Sequence, residues 1–122
     1  MLHADHSITE IVAHILIAAL FIIGGIKNII IREEVLERMR ALRVPAAALV
    51  LYSGFVVQFI GALMVLLDLY AGIGAVILIV FTVAATWMFH RYWLMPDPVR
   101  RNYHMLLGLN NFGVVGGLFL LV

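Results

Sequence analysis

Four long apolar stretches constrain this chain more than any other feature of its sequence. Each holds about 20 residues, the length that an α-helix needs to cross the hydrocarbon core of a bilayer. They lie at about 7–31, 45–67, 72–93 and 103–122. Hydrophobic residues make up 65% of the 122 and charged residues 12%, more apolar surface than a chain this short can bury against itself. The sequence therefore predicts an all-α membrane protein, a four-transmembrane-helix bundle in a single domain, residues 1–122.

The connection between the first two spans has a different character. Residues 32–44 are rich in charged side chains, and their apolar residues are spaced as on one face of a helix. This pattern predicts a short amphipathic helix on the membrane surface.

Ser7 and Glu10 have capping-box spacing and predict where the first helix begins. Pro45 predicts the start of the second span, because proline needs no amide partner in a first turn.

The basic residues predict which side of the membrane each connection faces. All eight Lys and Arg residues lie around the first connection or around the third, and cytoplasmic connections are enriched in them. We therefore expect these two connections in the cytoplasm, with both termini and the turn at Asp68 on the outside. The basic residues are Lys27, Arg32, Arg38, Arg40, Arg43, Arg91, Arg100 and Arg101.

Composition also limits the chemistry of this chain. It has no cysteine, so we expect no disulfide, thiolate metal site or thiol redox centre. Any electron chemistry would need a bound cofactor or a partner subunit. We expect a lipid bilayer and other membrane-protein subunits as partners, and no nucleic acid.

Polar side chains inside the apolar stretches are the candidate functional residues. An uncompensated polar group in hydrocarbon is costly, so each should face the interior of the bundle. By their depth along the predicted helices, four of them can line one cavity open to the inner leaflet. These are Lys27, Gln58, His90 and Asn111. The sequence equally allows Gln58, Asn111 and Thr82 to be hydrogen-bonding links between helices, Lys27 to snorkel and His90 to be an interfacial residue.

The amino terminus contains one metal-binding motif. A free amine followed by His3 can bind copper or nickel through the amine, two backbone amides and the imidazole, and His6 and Glu10 lie nearby. A polar leader of this kind is usually only solvated, and we assign no metal site from the sequence. A bis-histidine haem that uses His14 is disfavoured as well, because His14 lies roughly 10 Å inside the outer boundary and His90 lies near the inner one, too far apart for two axial ligands. His90 with His104 stays open by depth, although nothing else in the sequence marks a haem site.

Several motifs, in this order and spacing, resemble the DoxX family of small four-helix membrane proteins. They are GGIK at 24–27, a proline that opens the second span, ATWMFHRYW at 85–93 and NFGVVGGL at 111–118. The family's second helix often carries a glutamate followed by glycines, where this sequence has Gln58. A neutral amide cannot act as a carboxylate base or a proton carrier.

The resemblance implies a subunit of an oxidoreductase or respiratory-type complex in the inner (plasma) membrane of a prokaryote. Family members resemble subunits linked to sulfur oxidation or to oxidative-stress complexes. By analogy, the set Lys27, Gln58, His90 and Asn111 can bind a quinone headgroup as its cofactor, with His90 or Lys27 donating to a carbonyl oxygen. Whether the chain is itself an enzyme stays open.

The sequence also allows a second function. The chain can be a non-catalytic scaffold or assembly subunit, packing against a larger membrane complex through the GxxxG spacing of Gly113 and Gly117. A transporter is the weaker hypothesis, because the spans contain no pair of intramembrane charges for ion coupling.

Overall fold

Helices form nearly all the regular structure of this chain. The computed structural model describes residues 3–89 and 96–122, and this part of the chain forms five α-helices and no strand. In chain order the helices are α1 (Ile8–Ile30), α2 (Arg32–Ala41), α3 (Ala47–Leu66), α4 (Ala71–Phe89) and α5 (Pro98–Phe119). The all-α prediction is confirmed. The predicted third span continued to residue 93, and its last four residues lie outside the described ranges.

Three of these helices, α1, α3 and α4, are long and apolar enough to cross a membrane. Their outward faces carry large apolar side chains, such as Ile23 and Leu49, which are 66% and 69% exposed. A water-soluble domain rarely exposes apolar surface on this scale, whereas lipid covers it. The structure therefore agrees with a membrane protein for these three helices.

The fourth predicted span differs from the other three. It lies within α5, which begins at Pro98 and is not among the helices apolar enough to span by composition. Arg100 and Arg101 occupy its first turn, and Asn110 and Asn111 lie near its middle. The four-span bundle therefore stays a prediction, and composition supports three of its spans.

Side-chain caps determine where two helices begin. The Ser7 hydroxyl accepts the backbone N–H of Glu10 at 3.2 Å, while the Glu10 carboxylate accepts the backbone N–H of Ser7. This is the predicted capping box at the start of α1. Asp97 caps α5 by accepting the backbone N–H of Val99 at 3.1 Å. Pro45 lies two residues before Ala47, the first residue of α3, so it precedes that helix and does not occupy its first turn.

Two glycines let α3 and α4 pack closely. A Cβ atom on Gly74 would lie 2.8 Å from Met64 Cβ and 3.0 Å from the backbone oxygen of Gly61. A Cβ on Gly61 would lie 3.0 Å from the Leu78 side chain. The short turn that joins the two helices makes them antiparallel neighbours, and small residues permit the backbones to approach.

The main core lies where α1, α3 and α4 meet, and the end of α5 closes it. Apart from the aromatic ring of Phe21, its buried members are small or medium-sized apolar side chains, which suits closely spaced helices. They are Ala18, Phe21, Ala62, Val65, Ala75, Leu78 and Leu118.

A second core lies under α2. Val35, Leu36 and Met39 are buried and form one cluster with Leu51 and Phe55 of α3. The amphipathic helix predicted for 32–44 is thus present, ends at Ala41, and has its apolar face covered by protein.

Candidate functional site

A small pocket lies between α1, α3, α4 and α5. Its volume is about 150 Å³ and its walls are mostly apolar. Both Gln58, from α3, and Asn111, from α5, line it. The lining residues are Leu20, Phe21, Gln58, Phe81, Thr82, Ala85, Asn111 and Val114. Two of the four side chains that the sequence placed together therefore meet in one pocket.

The Gln58 amide is buried and joins α3 to α1. It is 4% exposed, and its Nε2 donates to the backbone oxygen of Phe21 at 2.7 Å. A buried amide needs such a partner, since an unbonded one would be costly in an apolar span. One N–H and the side-chain oxygen of Gln58 are still available for a ligand.

Asn111 makes the corresponding link between α5 and α4. Its Nδ2 donates to the Thr86 hydroxyl at 2.8 Å, which again leaves one N–H and a carbonyl oxygen. Thr82 also lines the pocket, but its hydroxyl donates to the Leu78 backbone oxygen one turn earlier in its own helix, at 2.7 Å. Gln58 and Asn111 therefore link helices, whereas Thr82 does not.

Lys27, another of the four predicted residues, does not line this pocket. Phe21 and Gly25 form the buried face of α1, and Lys27 is exposed. At about 100° per residue, Lys27 lies about 200° around the helix from Gly25. Its position fits the snorkelling interpretation. His90 lies outside the described residues.

A second polar cluster occupies the end of the bundle formed by the amino-terminal segment and the α3–α4 turn. It combines His3 and His6 of that segment, His14 of α1 and Asp68 of the turn. One ring nitrogen from each histidine lies within 4.8 Å of the others. A cavity of about 420 Å³ adjoins the cluster and is lined by His6, His14 and Asp68, among others.

Hydrogen bonds to carboxylates hold this cluster together. The His3 backbone N–H donates to Asp68 Oδ2 at 2.9 Å, and this bond lowers the pKa of the Asp68 carboxyl below its usual range. The His6 ring lies between two acids, with Nδ1 at 2.7 Å from Glu10 Oε2 and Nε2 at 3.2 Å from Asp68 Oδ1. The hydrogen bonds to these two carboxylates raise the pKa of His6, with the larger effect from Glu10 and the smaller from Asp68.

The sequence indicates only part of this cluster, the amino-terminal residues His3, His6 and Glu10. His6, Glu10 and His14 recur at intervals of four, a spacing that places side chains on one face of a helix. No local pattern connects His3 to Asp68, since 65 positions separate them. Only the packing of the amino-terminal segment against the α3–α4 turn brings these two together.

Comparison with known proteins agrees with the fold. Three apolar helices with outward-facing apolar side chains define a helical membrane protein. The DoxX family model matches residues 11–91, more than half of the chain. The chain belongs to the DoxX family, as the resemblance of its motifs indicated. No match was found among curated proteins, and none among solved structures.

Proposed function

We propose that this chain is a membrane subunit of an oxidoreductase and that the pocket between α1, α3, α4 and α5 binds the headgroup of a quinone. The observation that carries the proposal is that Gln58 and Asn111, from two different helices, line one pocket with the aromatic rings of Phe21 and Phe81. Binding pockets for small ligands are typically apolar with a few well-placed polar groups.

The remaining hydrogen-bonding capacity of the two amides suits this ligand. A quinone has two carbonyl oxygens, which only accept hydrogen bonds, and Gln58 and Asn111 each keep one N–H after bonding to Phe21 and Thr86. The 150 Å³ volume is enough for a ring but not for an isoprenoid tail. The tail would extend into the bilayer past Leu20, a pocket residue that is 51% exposed.

The two neighbouring asparagines of α5 provide a matched test. Asn111 lines the pocket, whereas Asn110 is exposed. In detergent, the full-length chain would be titrated with a short-chain ubiquinone and a short-chain menaquinone, with tryptophan fluorescence as the readout. A lost neutral hydrogen bond is worth about 0.5–1.5 kcal/mol, so Asn111→Leu should weaken binding by about threefold to tenfold. Asn110→Leu should leave the dissociation constant unchanged.

Two outcomes would count against quinone binding. One is no saturable quenching by either quinone, and the other is the same dissociation constant for both asparagine variants. Because Asn111→Leu also removes the bond to Thr86, its helix content by circular dichroism must match that of Asn110→Leu before the comparison is used.

A second function, assembly within a larger membrane complex, has its own support. Among the described residues, no side chain and no part of another helix lies within 4 Å of the position that a Cβ would take on Gly113 or Gly116. Both glycines are exposed on α5, beside the large exposed ring of Phe112. Small residues on an open helix face permit close approach of a partner helix. Gly117 differs, because its Cβ would contact Ile17 of α1 at 3.6 Å. Of the GxxxG pair, Gly113 therefore faces outward and Gly117 faces α1.

This difference separates the two functions experimentally. Gly113→Leu should release partner subunits from a complex isolated in mild detergent while leaving the stability and the quinone affinity of the chain itself unchanged. Co-purified subunits would be identified by mass spectrometry. An unchanged complex would rule out this face of α5 as the assembly surface.

The arrangement of the helix ends supports α5 as the fourth span. Residues 120–122 border the same cavity as His6 and Asp68, so α5 returns the chain to the end of the bundle where α1 begins. The described basic residues of α2 and of the first turn of α5 belong to the opposite end. We therefore propose a four-span topology in a prokaryotic plasma membrane, with the basic end in the cytoplasm and residues 3–6 and 120–122 outside it.

A further inference from the structure

We propose that His3, His6 and His14, with Asp68 as a fourth ligand, form a binding site for a divalent first-row transition metal of the Zn²⁺ type. The site is built from side chains of two distant parts of the chain. It shares no residue with the quinone pocket and does not depend on that proposal. It also departs from the expectation from the sequence, which assigned no metal site.

The hydrogen bonds of two of the histidines determine which ring nitrogens carry lone pairs. A backbone carbonyl only accepts, so the ring nitrogen beside it must carry the hydrogen. His3 Nε2 lies 2.7 Å from the Leu66 backbone oxygen, and His14 Nδ1 lies 2.7 Å from the Glu10 backbone oxygen. In the neutral rings, His3 Nδ1 and His14 Nε2 are therefore unprotonated. Metal-binding histidines are typically oriented in this way, by donating their other N–H to a carbonyl or carboxylate.

His3 Nδ1 supplies an independent indication of a missing partner. This atom is buried and has no hydrogen-bond partner among the described residues. A buried polar atom without a partner is unfavourable, so its presence needs an explanation. A metal ion bound to its lone pair would satisfy it.

His6 is the third histidine of the proposed site, and a carboxylate lies beside each of its two ring nitrogens. Its Nδ1 lies 2.7 Å from Glu10 Oε2, which can hold the N–H of a metal-bound imidazole. Its Nε2 faces Asp68 Oδ1 at 3.2 Å, and the same oxygen lies 4.0 Å from His14 Nε2. The other Asp68 oxygen accepts the His3 backbone N–H. Metal binding would displace the proton from His6 Nε2, and Asp68 Oδ1 would then lie beside the free nitrogens of His6 and His14.

The spacing of these donors is close to that of a tetrahedral site. With metal–ligand bonds of about 2.0–2.1 Å, neighbouring donors lie about 3.4 Å apart. One ring nitrogen from each histidine lies within 4.8 Å of the others, so an inward movement of less than about 1 Å per donor would reach the tetrahedral spacing. The carboxylates of Glu10 and Asp68 supply negative charge beside the ion, and imidazole with carboxylate is a donor set that Zn²⁺ accepts.

The test uses the full-length chain, purified without a histidine tag and stripped of metal with a chelator. Zn²⁺ would be titrated by calorimetry and its stoichiometry measured by elemental analysis, and the visible spectrum of the Co²⁺ form would report four-coordination. We expect one Zn²⁺ per chain. His14→Ala should weaken binding by more than about a hundredfold, and Glu10→Gln, which keeps all four ligands, by about tenfold to a hundredfold.

Two comparisons keep the test decisive. His104→Ala removes a histidine of α5 and should leave Zn²⁺ affinity unchanged. An amino-terminal amine motif would use His3 but not His14, so loss of binding in His3→Ala with normal binding in His14→Ala would overturn the proposal. Less than stoichiometric Zn²⁺ in the unmodified chain would also overturn it. If His14→Ala does not fold, Zn²⁺ binding is measured with Glu10→Gln and Asp68→Asn instead. Wild-type Zn²⁺ affinity in both of these variants would refute the site.

Discussion

Substitution of a single glycine in α4 tests whether the contact between α3 and α4 is as close as the structure has it. In Gly74→Ala, the added Cβ would lie 2.8 Å from Met64 Cβ and 3.0 Å from the Gly61 backbone oxygen. Neither neighbour is the end of a flexible side chain, so neither can turn aside. The two helices would have to separate at this point.

The expected cost follows from that overlap. Carbon atoms pack best at about 3.5–4.0 Å, so relief of the contact requires a separation of about 1 Å. Such overpacking typically costs about 1–3 kcal/mol. A separation at Gly74 would also loosen the contact of Ala75 and Leu78 with α3, and both of these are fully buried. We therefore expect Gly74→Ala to lower the free energy of unfolding by about 1–3 kcal/mol.

The assay is reversible unfolding of the purified chain in mixed micelles with increasing SDS, followed by circular dichroism. Gly72→Ala is the matched control in the same helical turn, because its Cβ would lie 3.5 Å or more from its nearest neighbour, an ordinary contact. Equal unfolding curves for the two variants would refute the close α3–α4 contact. A loss of stability in Gly72→Ala alone would refute it as well.

Two further tests, one of them with a control substitution, probe other parts of the packing with the same assay. Leu78→Ala removes a fully buried side chain of the main core and should lower the free energy of unfolding by about 2–5 kcal/mol. Val80→Ala, on the outward face of α4, should change it by no more than about 0.5 kcal/mol. Equal effects of the two substitutions would mean that Leu78 does not belong to the core. Ser7→Ala removes the hydroxyl that caps α1 and should cost about 0.5–2 kcal/mol, and unchanged stability would mean that the capping box does not hold the start of α1.

Local patterns were sufficient to predict the helices. Apolar stretches, a capping box and a charged segment are visible without any knowledge of distant residues, and α1 to α4 occupy the segments that these patterns mark. Composition was less decisive for α5, because the polar residues in its first half weaken the apolar signal of its second half.

The candidate pocket was predicted only in part. Depth along a helix follows from residue number, and Gln58 and Asn111, which were grouped by depth, line a common pocket. Rotation about the helix axis depends on which face packs against neighbours. The buried face of α1 passes through Phe21 and Gly25, which turns Lys27 outward.

Composition and short periodic patterns are enough to predict that this chain is helical, that it lies in a bilayer and that its basic residues cluster around two connections. Only the folded chain reveals that α2 packs on protein, that α3 leaves too little room for a Cβ on Gly74 and that three histidines meet beside Asp68. These depend on contacts between residues far apart in the chain, such as His3 and Asp68. No periodicity records such contacts, since they exist only when packed helices bring the two segments to the same end of the bundle.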